Sequence, residues 1–266
     1  MQSMKREPVE LFAAILSADG SVFELLDAPA VWVDGRLAEL YGIPGVTGDV
    51  FRRVVLADRR RGGVLGMAAV LAATSAPNRT SPVVRGAWVL QTLLGQKLPE
   101  PPPDAGALPP DAGTKPGVTL REELQRHRRE QRCAVCHDKI DPIGFGLENF
   151  DAIGRWRTEE NGKPIDASGR LPDGTTFDGP AGLKDYLLAS GRAAFVRTLT
   201  RRLLAYAVGR KLQYFDTPVV DEITSRVLQD GGRARRLFEE IVLSRPFLWQ
   251  EADEPSGTHT AAPGAD

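Results

Sequence analysis

The chain has 266 residues, with 34 basic against 35 acidic, and the resulting net charge of −1 excludes a global electrostatic pull toward nucleic acid or an anionic membrane. Hydrophobic residues make up 42% and charged residues 26%, an ordinary balance for a globular chain long enough to bury a sizeable core in one large domain or two modest ones. No apolar run approaches the roughly 20 residues that cross a bilayer, and the start Met1-Gln2-Ser3-Met4-Lys5-Arg6 lacks a small-residue cleavage site, so neither a span nor a secretory signal is read here.

Pro8, with Leu11, Phe12, Ile15 and Leu16 at helical spacing, predicts a helix over 8–18 that starts at the proline and stops at Gly20. A second helix is expected from Asp34 to Tyr41, closed by Gly42, and Gly45 to Ala57 reads as an ordered loop. Residues 61–73 are small and apolar and would let backbone approach a flat or bulky group closely. Thr80-Ser81-Pro82 precedes an apolar helix from Val83 to Gly95. Residues 99–116 hold Pro101-Pro102-Pro103 and Pro109-Pro110 and read as an extended linker rather than as a ligand for a proline-reading partner.

Thr119-Leu120-Arg121-Glu122 is a capping box, and Leu120, Leu124 and His127 share one face of the helix it starts. That helix leads into Cys133-Ala134-Val135-Cys136-His137, which holds both cysteines of the chain. CxxCH is the attachment pattern of c-type haem: two thiols on one turn can add to two vinyl groups, and the next residue can offer an imidazole to the iron. Asp141-Pro142 reads as the turn leaving this segment. Asp173-Gly174 between β-capable flanks predicts a small hairpin. Three helices follow, striped by Phe195, Leu199, Leu203 and Tyr206, by Val219, Ile223 and Val227, and by Leu237, Phe238, Ile241 and Val242, the last ended by Pro246. The polar residues 251–266 are expected to be disordered.

A closed zinc site is the alternative use of Cys133, Cys136 and His137, but it wants four donors, and only His127 and His259 remain to supply nitrogen. A thioredoxin-like CxxC needs a βαβ context, which the pattern lacks. For the iron position opposite His137, Met67 is the first candidate, His127 the second, and an open or water-bound position the third; His259 lies in the polar tail. Met67 can equally be a core methionine. Arg155 and Arg157 flank Trp156 and could clamp the two haem propionates, or make ordinary ion pairs with Asp141, Glu148 or Asp151. Glu148 and Asp151 carry no sign of a substrate cleft beside them.

Taken with its flanks, the motif resembles the planctomycete-type cytochrome c family, proteins built from consecutive domains of unknown function. The resemblance rests on Cys133 to His137 with Ile140-Asp141-Pro142, Gly144-Phe145, Leu147-Glu148-Asn149-Phe150-Asp151 and Gly154-Arg155-Trp156-Arg157. Thr80-Ser81-Pro82, Arg85-Gly86, Trp88-Val89-Leu90, the proline run, Leu171-Pro172-Asp173-Gly174 and the segment Leu203 to Tyr214 extend it to about Trp249. It implies an exported protein whose upstream part precedes this chain, and residues 1–57 then look like the tail of an upstream helical domain.

The expected fold is mostly α: a cytochrome c-like helical haem domain over 58–160, and a small β-hairpin with a C-terminal helical subdomain over 161–250. The expected function is an electron-transfer module with one covalent haem c on Cys133 and Cys136, ligated by His137, working with a redox partner protein or upstream domains, periplasmic or otherwise extracytoplasmic. Two rivals stand beside it: a haem enzyme with an open axial position, and a non-haem structural or interaction module.

Overall fold

The computed structural model describes residues 1–99, 112, 113, 116–127 and 131–249, with the backbone alone for 127 and 131–135. The first helix, α1 (Gln2–Ser17), begins well before Pro8, which lies inside it rather than at its first turn. Tertiary contacts hold the turns ahead of the proline. Ser3 Oγ donates to Asp34 Oδ2 at 2.6 Å, and Tyr41 Oη donates to Glu7 Oε2 at 2.5 Å. Strand β1 (Ala30–Val33), not expected from the sequence, runs into α2 (Gly35–Tyr41), the helix expected from Asp34 to Tyr41. Asp34 caps α2 through Leu37 N at 2.9 Å, and Gly42 closes it at φ 69°. The segment 45–57 is not all loop: it contains β2 (Arg52–Val55), antiparallel to β1 with Ala30 opposite Val55 and Val33 opposite Arg52. β2 is an edge strand with mostly exposed residues, so it carries little of the apolar alternation that marks a strand.

The small-residue stretch forms a 3₁₀ turn (Val64–Gly66) and α3 (Ala68–Ala73). Its glycines serve a neighbouring piece of chain. Side chains on Gly62 and Gly63 would strike the backbone of Ala28 and Leu26, and both residues hold positive φ. Helix α4 (Pro82–Trp88) passes into a π-helical turn (Val89–Leu93), with Ser81 as cap and Gly95 at its end.

The capping box forms as predicted: Glu122 N donates to Thr119 Oγ1 at 3.2 Å and Thr119 N to Glu122 Oε2 at 2.9 Å, opening α5 (Leu120–His127). The CxxCH motif lies on α6 (Gln131–Phe145), and the join between α5 and α6 over 128–130 lies outside the described residues. Asp141-Pro142 is not a turn. Pro142 lies inside α6, where burial of Ile140, Asp141, Ile143 and Phe145 outweighs the one amide the proline removes. The chain turns only after Phe145, through Leu147 N to Gly144 O and Glu148 N to Phe145 O, both 3.0 Å.

Two hairpins follow where one is expected. β3 (Glu159–Glu160) pairs with β4 (Lys163–Pro164) around Asn161-Gly162, and β5 (Ser168–Arg170) pairs with β6 (Thr176–Asp178) across the predicted Gly174 turn. Helices α7 (Gly179–Ser190), α8 (Arg192–Val208), α9 (Thr217–Gln229), α10 (Ala234–Val242) and α11 (Arg245–Leu248) complete the described chain. Pro246 opens α11 instead of ending α10, and Tyr206, in the last turn of α8, is 88% exposed instead of buried. The linker prolines and the tail 251–266 lie outside the described residues. The architecture is mostly helical with small antiparallel hairpins. Its main apolar cluster draws on α1, α4, α6, α7, α8, α9 and α10 together, from Leu11 to Ile241. Among the described residues no helix is long and apolar enough to cross a membrane.

Candidate functional site

Helix α6 is placed by two close approaches. A side chain on Gly144 would strike the carbonyl of Pro82, and one on Gly86 would strike the carbonyl of Ile140, so α4 and α6 cross with glycine at each point of contact. On another side, β5 reaches the helix at Gly169, where an added Cβ would lie 2.8 Å from Pro142 O, with the Phe177 ring beside it. The Arg85-Gly86 and Gly144-Phe145 pairs are therefore parts of one helix crossing.

Helix α6 brings Cys133, Cys136 and His137 onto a single element, with the cysteines three residues apart and the histidine four residues after the first. Positions three and four apart lie on the same helical face. Cys136 is half-buried and packs against the main apolar cluster. His137 is one turn before Asp141, and its Nδ1 lies 2.9 Å from Asp141 Oδ1. The Asp141 side chain is fully buried and the imidazole is 19% exposed. A carboxylate accepts hydrogen bonds, so in this pairing Nδ1 carries the ring proton.

Below the helix, Arg85 is fully buried and fastens the chain leaving α6. It donates to the carbonyls of Leu147, Phe150 and Asp151 at 2.9, 2.8 and 2.7 Å, and to Ser75 Oγ at 3.1 Å. Its Nη1 also pairs with Glu148 Oε1 at 3.2 Å. Glu148 accepts from Thr80 Oγ1 at 2.7 Å and pairs with Arg157 at 3.1 Å. Burial raises the Glu148 carboxyl above its usual range against the pull of Arg85 and Arg157, and burial likewise lowers the Arg85 guanidinium.

Arg157 makes ion pairs with Glu148 and with Glu160 at 3.2 Å, whereas Arg155 is exposed and gives its backbone amide to Asp151 Oδ1 at 2.8 Å. Trp156 packs edge-on against Phe150, ring centres 5.3 Å apart, under the Arg60 guanidinium. Met67 is buried in the main cluster against which Cys136 packs. The next residue, Ala68, abuts Gly154 in the turn that precedes Arg155. His127 ends α5, and His259 lies outside the described residues. Among the described residues no group of three or more His, Cys, Asp or Glu side chains converges as a metal site.

The donor chemistry fits a c-type haem: a helical pair of cysteines, an imidazole with one nitrogen already engaged, and an apolar wall beside the second thiol. Sequence reasoning missed the two roles taken by buried charge. Asp141 reads as a turn residue because a proline follows it, and Arg85 stands out in the sequence only as part of the Arg85-Gly86 pair.

Three family models match in succession, each described as a protein of unknown function: DUF1592 over residues 1–43, DUF1588 over 61–160, which contains the CxxCH helix, and DUF1585 over 173–247. Comparisons with curated proteins and with solved structures give no match.

Proposed function

We propose that this chain is a c-type haem-binding electron-transfer module of the planctomycete-type cytochrome c family, working outside the cytoplasm as part of a larger redox protein. The observation that carries the proposal is the pairing of His137 with buried Asp141 on the helix that holds both cysteines. When bound, haem supplies an iron that cycles between two oxidation states one electron apart. Cys133 and Cys136 would tether it, and His137 Nε2 would ligate the iron. Met67 would be the second protein ligand to the iron, and Arg155, exposed beside Trp156, would meet a propionate. Arg157, engaged by Glu148 and Glu160, steadies the chain leaving the helix and would share its guanidinium between those carboxylates and a propionate. The succession of three matched domain families, with the CxxCH helix in the middle one, supports the family assignment.

The test is to produce the full chain in exported form alongside a haem-attachment system, extract with acid–acetone, and record visible spectra in both oxidation states. We expect colour that stays with the protein and a low-spin spectrum indifferent to cyanide and peroxide. Complete loss of haem into the acetone would overturn the proposal. Retained haem that binds cyanide readily and reacts with peroxide would support an enzyme with an open iron position instead.

A further inference from the structure

We infer that Asp141 is a positioning residue that tunes a bound haem: by accepting from His137 Nδ1, it strengthens the imidazole as an iron ligand and poises the iron toward its oxidised state. The inference rests on the haem reading above and goes beyond it, because a tethered haem needs only the two thiols and an imidazole.

Geometry comes first. His137 and Asp141 are four residues apart in α6, so helical spacing alone stacks them on one face, and the 2.9 Å separation is that of a formed hydrogen bond. The carboxylate is not a surface group that happens to touch the ring, since its side chain has no solvent exposure. Its position is fixed by neighbours on both sides: Ile140 faces Gly86 across the helix crossing, and Pro142 faces Gly169 of β5. Such a carboxylate cannot swing away to water without opening the packing around α6.

The chemical consequence follows from charge. A carboxylate partner makes a charge-assisted hydrogen bond, about twice as strong as one to a neutral acceptor. In a buried setting the interaction is screened less than in water. Electron density pushed into the ring raises the basicity of Nε2, and a more basic ligand favours Fe(III) over Fe(II). A carbonyl acceptor at the same place would orient the ring but donate less. The residue therefore moves the potential of the haem rather than its attachment.

The experiment is a redox titration of the haem-loaded full chain, wild type against Asp141→Asn and Asp141→Glu, with visible spectra confirming unchanged ligation. We expect Asp141→Asn to keep covalent haem and to raise the midpoint potential by about 59 mV or more, a tenfold weaker preference for Fe(III). Asp141→Glu, which restores a carboxylate, should return the potential part of the way. An Asp141→Asn protein with haem in place and the wild-type potential would overturn the inference and leave the haem reading intact. A wild-type chain that takes up no haem would sink the reading beneath it. If Asp141→Asn does not fold, nitrogen-15 histidine NMR of the reduced wild-type protein decides. A strongly deshielded, slowly exchanging Nδ1 proton on His137 supports the inference, and one exchanging as fast as an exposed imidazole overturns it.

Discussion

Arg85 Nη1 lies 3.2 Å from Glu148 Oε1, and both side chains are buried at the point where the chain leaves the CxxCH helix. The same guanidinium holds three backbone carbonyls of that exit, so it replaces the secondary structure that a buried irregular segment lacks. Removing one partner of a buried pair leaves the other charge uncompensated. Arg85→Ala should therefore lower stability by about 3–5 kcal/mol in denaturant unfolding. Arg85→Lys should recover only a minor part, because an ammonium cannot span five acceptors. A loss below about 1 kcal/mol would show that the carbonyls find other donors.

Glu7 gives the fold a pH dependence of its own. The carboxyl is buried against Tyr41, and its pKa is pushed up from 4.5 to about 8, chiefly by burial, with the Tyr41 hydrogen bond and Arg61 pulling the other way. In the unfolded chain the group ionises near 4.5, while in the fold it keeps its proton, so the folded state binds more protons across that window. Stability should be fully present below about pH 4.5 and fall as pH rises to about 8, by at most about 1.4 kcal/mol per pH unit from this group. Glu7→Gln should flatten that slope in unfolding curves taken at several pH values. An unchanged slope would mean that Glu7 is ionised in the fold.

The helix crossing is a third point of sensitivity. A methyl on Gly144 would run into the Pro82 carbonyl, which belongs to the backbone at the start of α4 and cannot rotate away. Gly144→Ala should cost about 1–3 kcal/mol by forcing α4 and α6 apart. Gly162→Ala, in a turn with open space around it, should cost less by thermal melting although its φ is 79°. Equal losses at the two sites would contradict the close crossing.

The α2 boundaries, the capping box of α5 and the Gly174 hairpin were legible because each depends on residues adjacent in sequence: Asp34 and Gly42, Thr119 and Glu122, Asp173 and Gly174. Elements that depend on distant partners were not. β2 exists because β1 lies beside it, and α1 extends ahead of Pro8 because Tyr41 and Asp34 reach back to it. At the candidate site, the spacing of Cys133, Cys136 and His137 could be read directly. Asp141 could not, since Asp-Pro is a turn signal until burial on both sides keeps the helix going. The Leu147-to-Asp151 block stood out as a motif, but its purpose as the set of acceptors for Arg85 appears only when residues more than sixty positions apart meet. Asn161-Gly162 carries the same kind of turn signal as Asp173-Gly174, but the strands it joins are two residues long and show no alternation.

Intact mass spectrometry of the full chain, matured in exported form and denatured before measurement, tests the central claim most directly. We expect wild type to carry the mass of the polypeptide plus one haem, and Cys133→Ala/Cys136→Ala to carry the polypeptide mass alone. A folded wild-type protein with the mass of the bare polypeptide would contradict the claim.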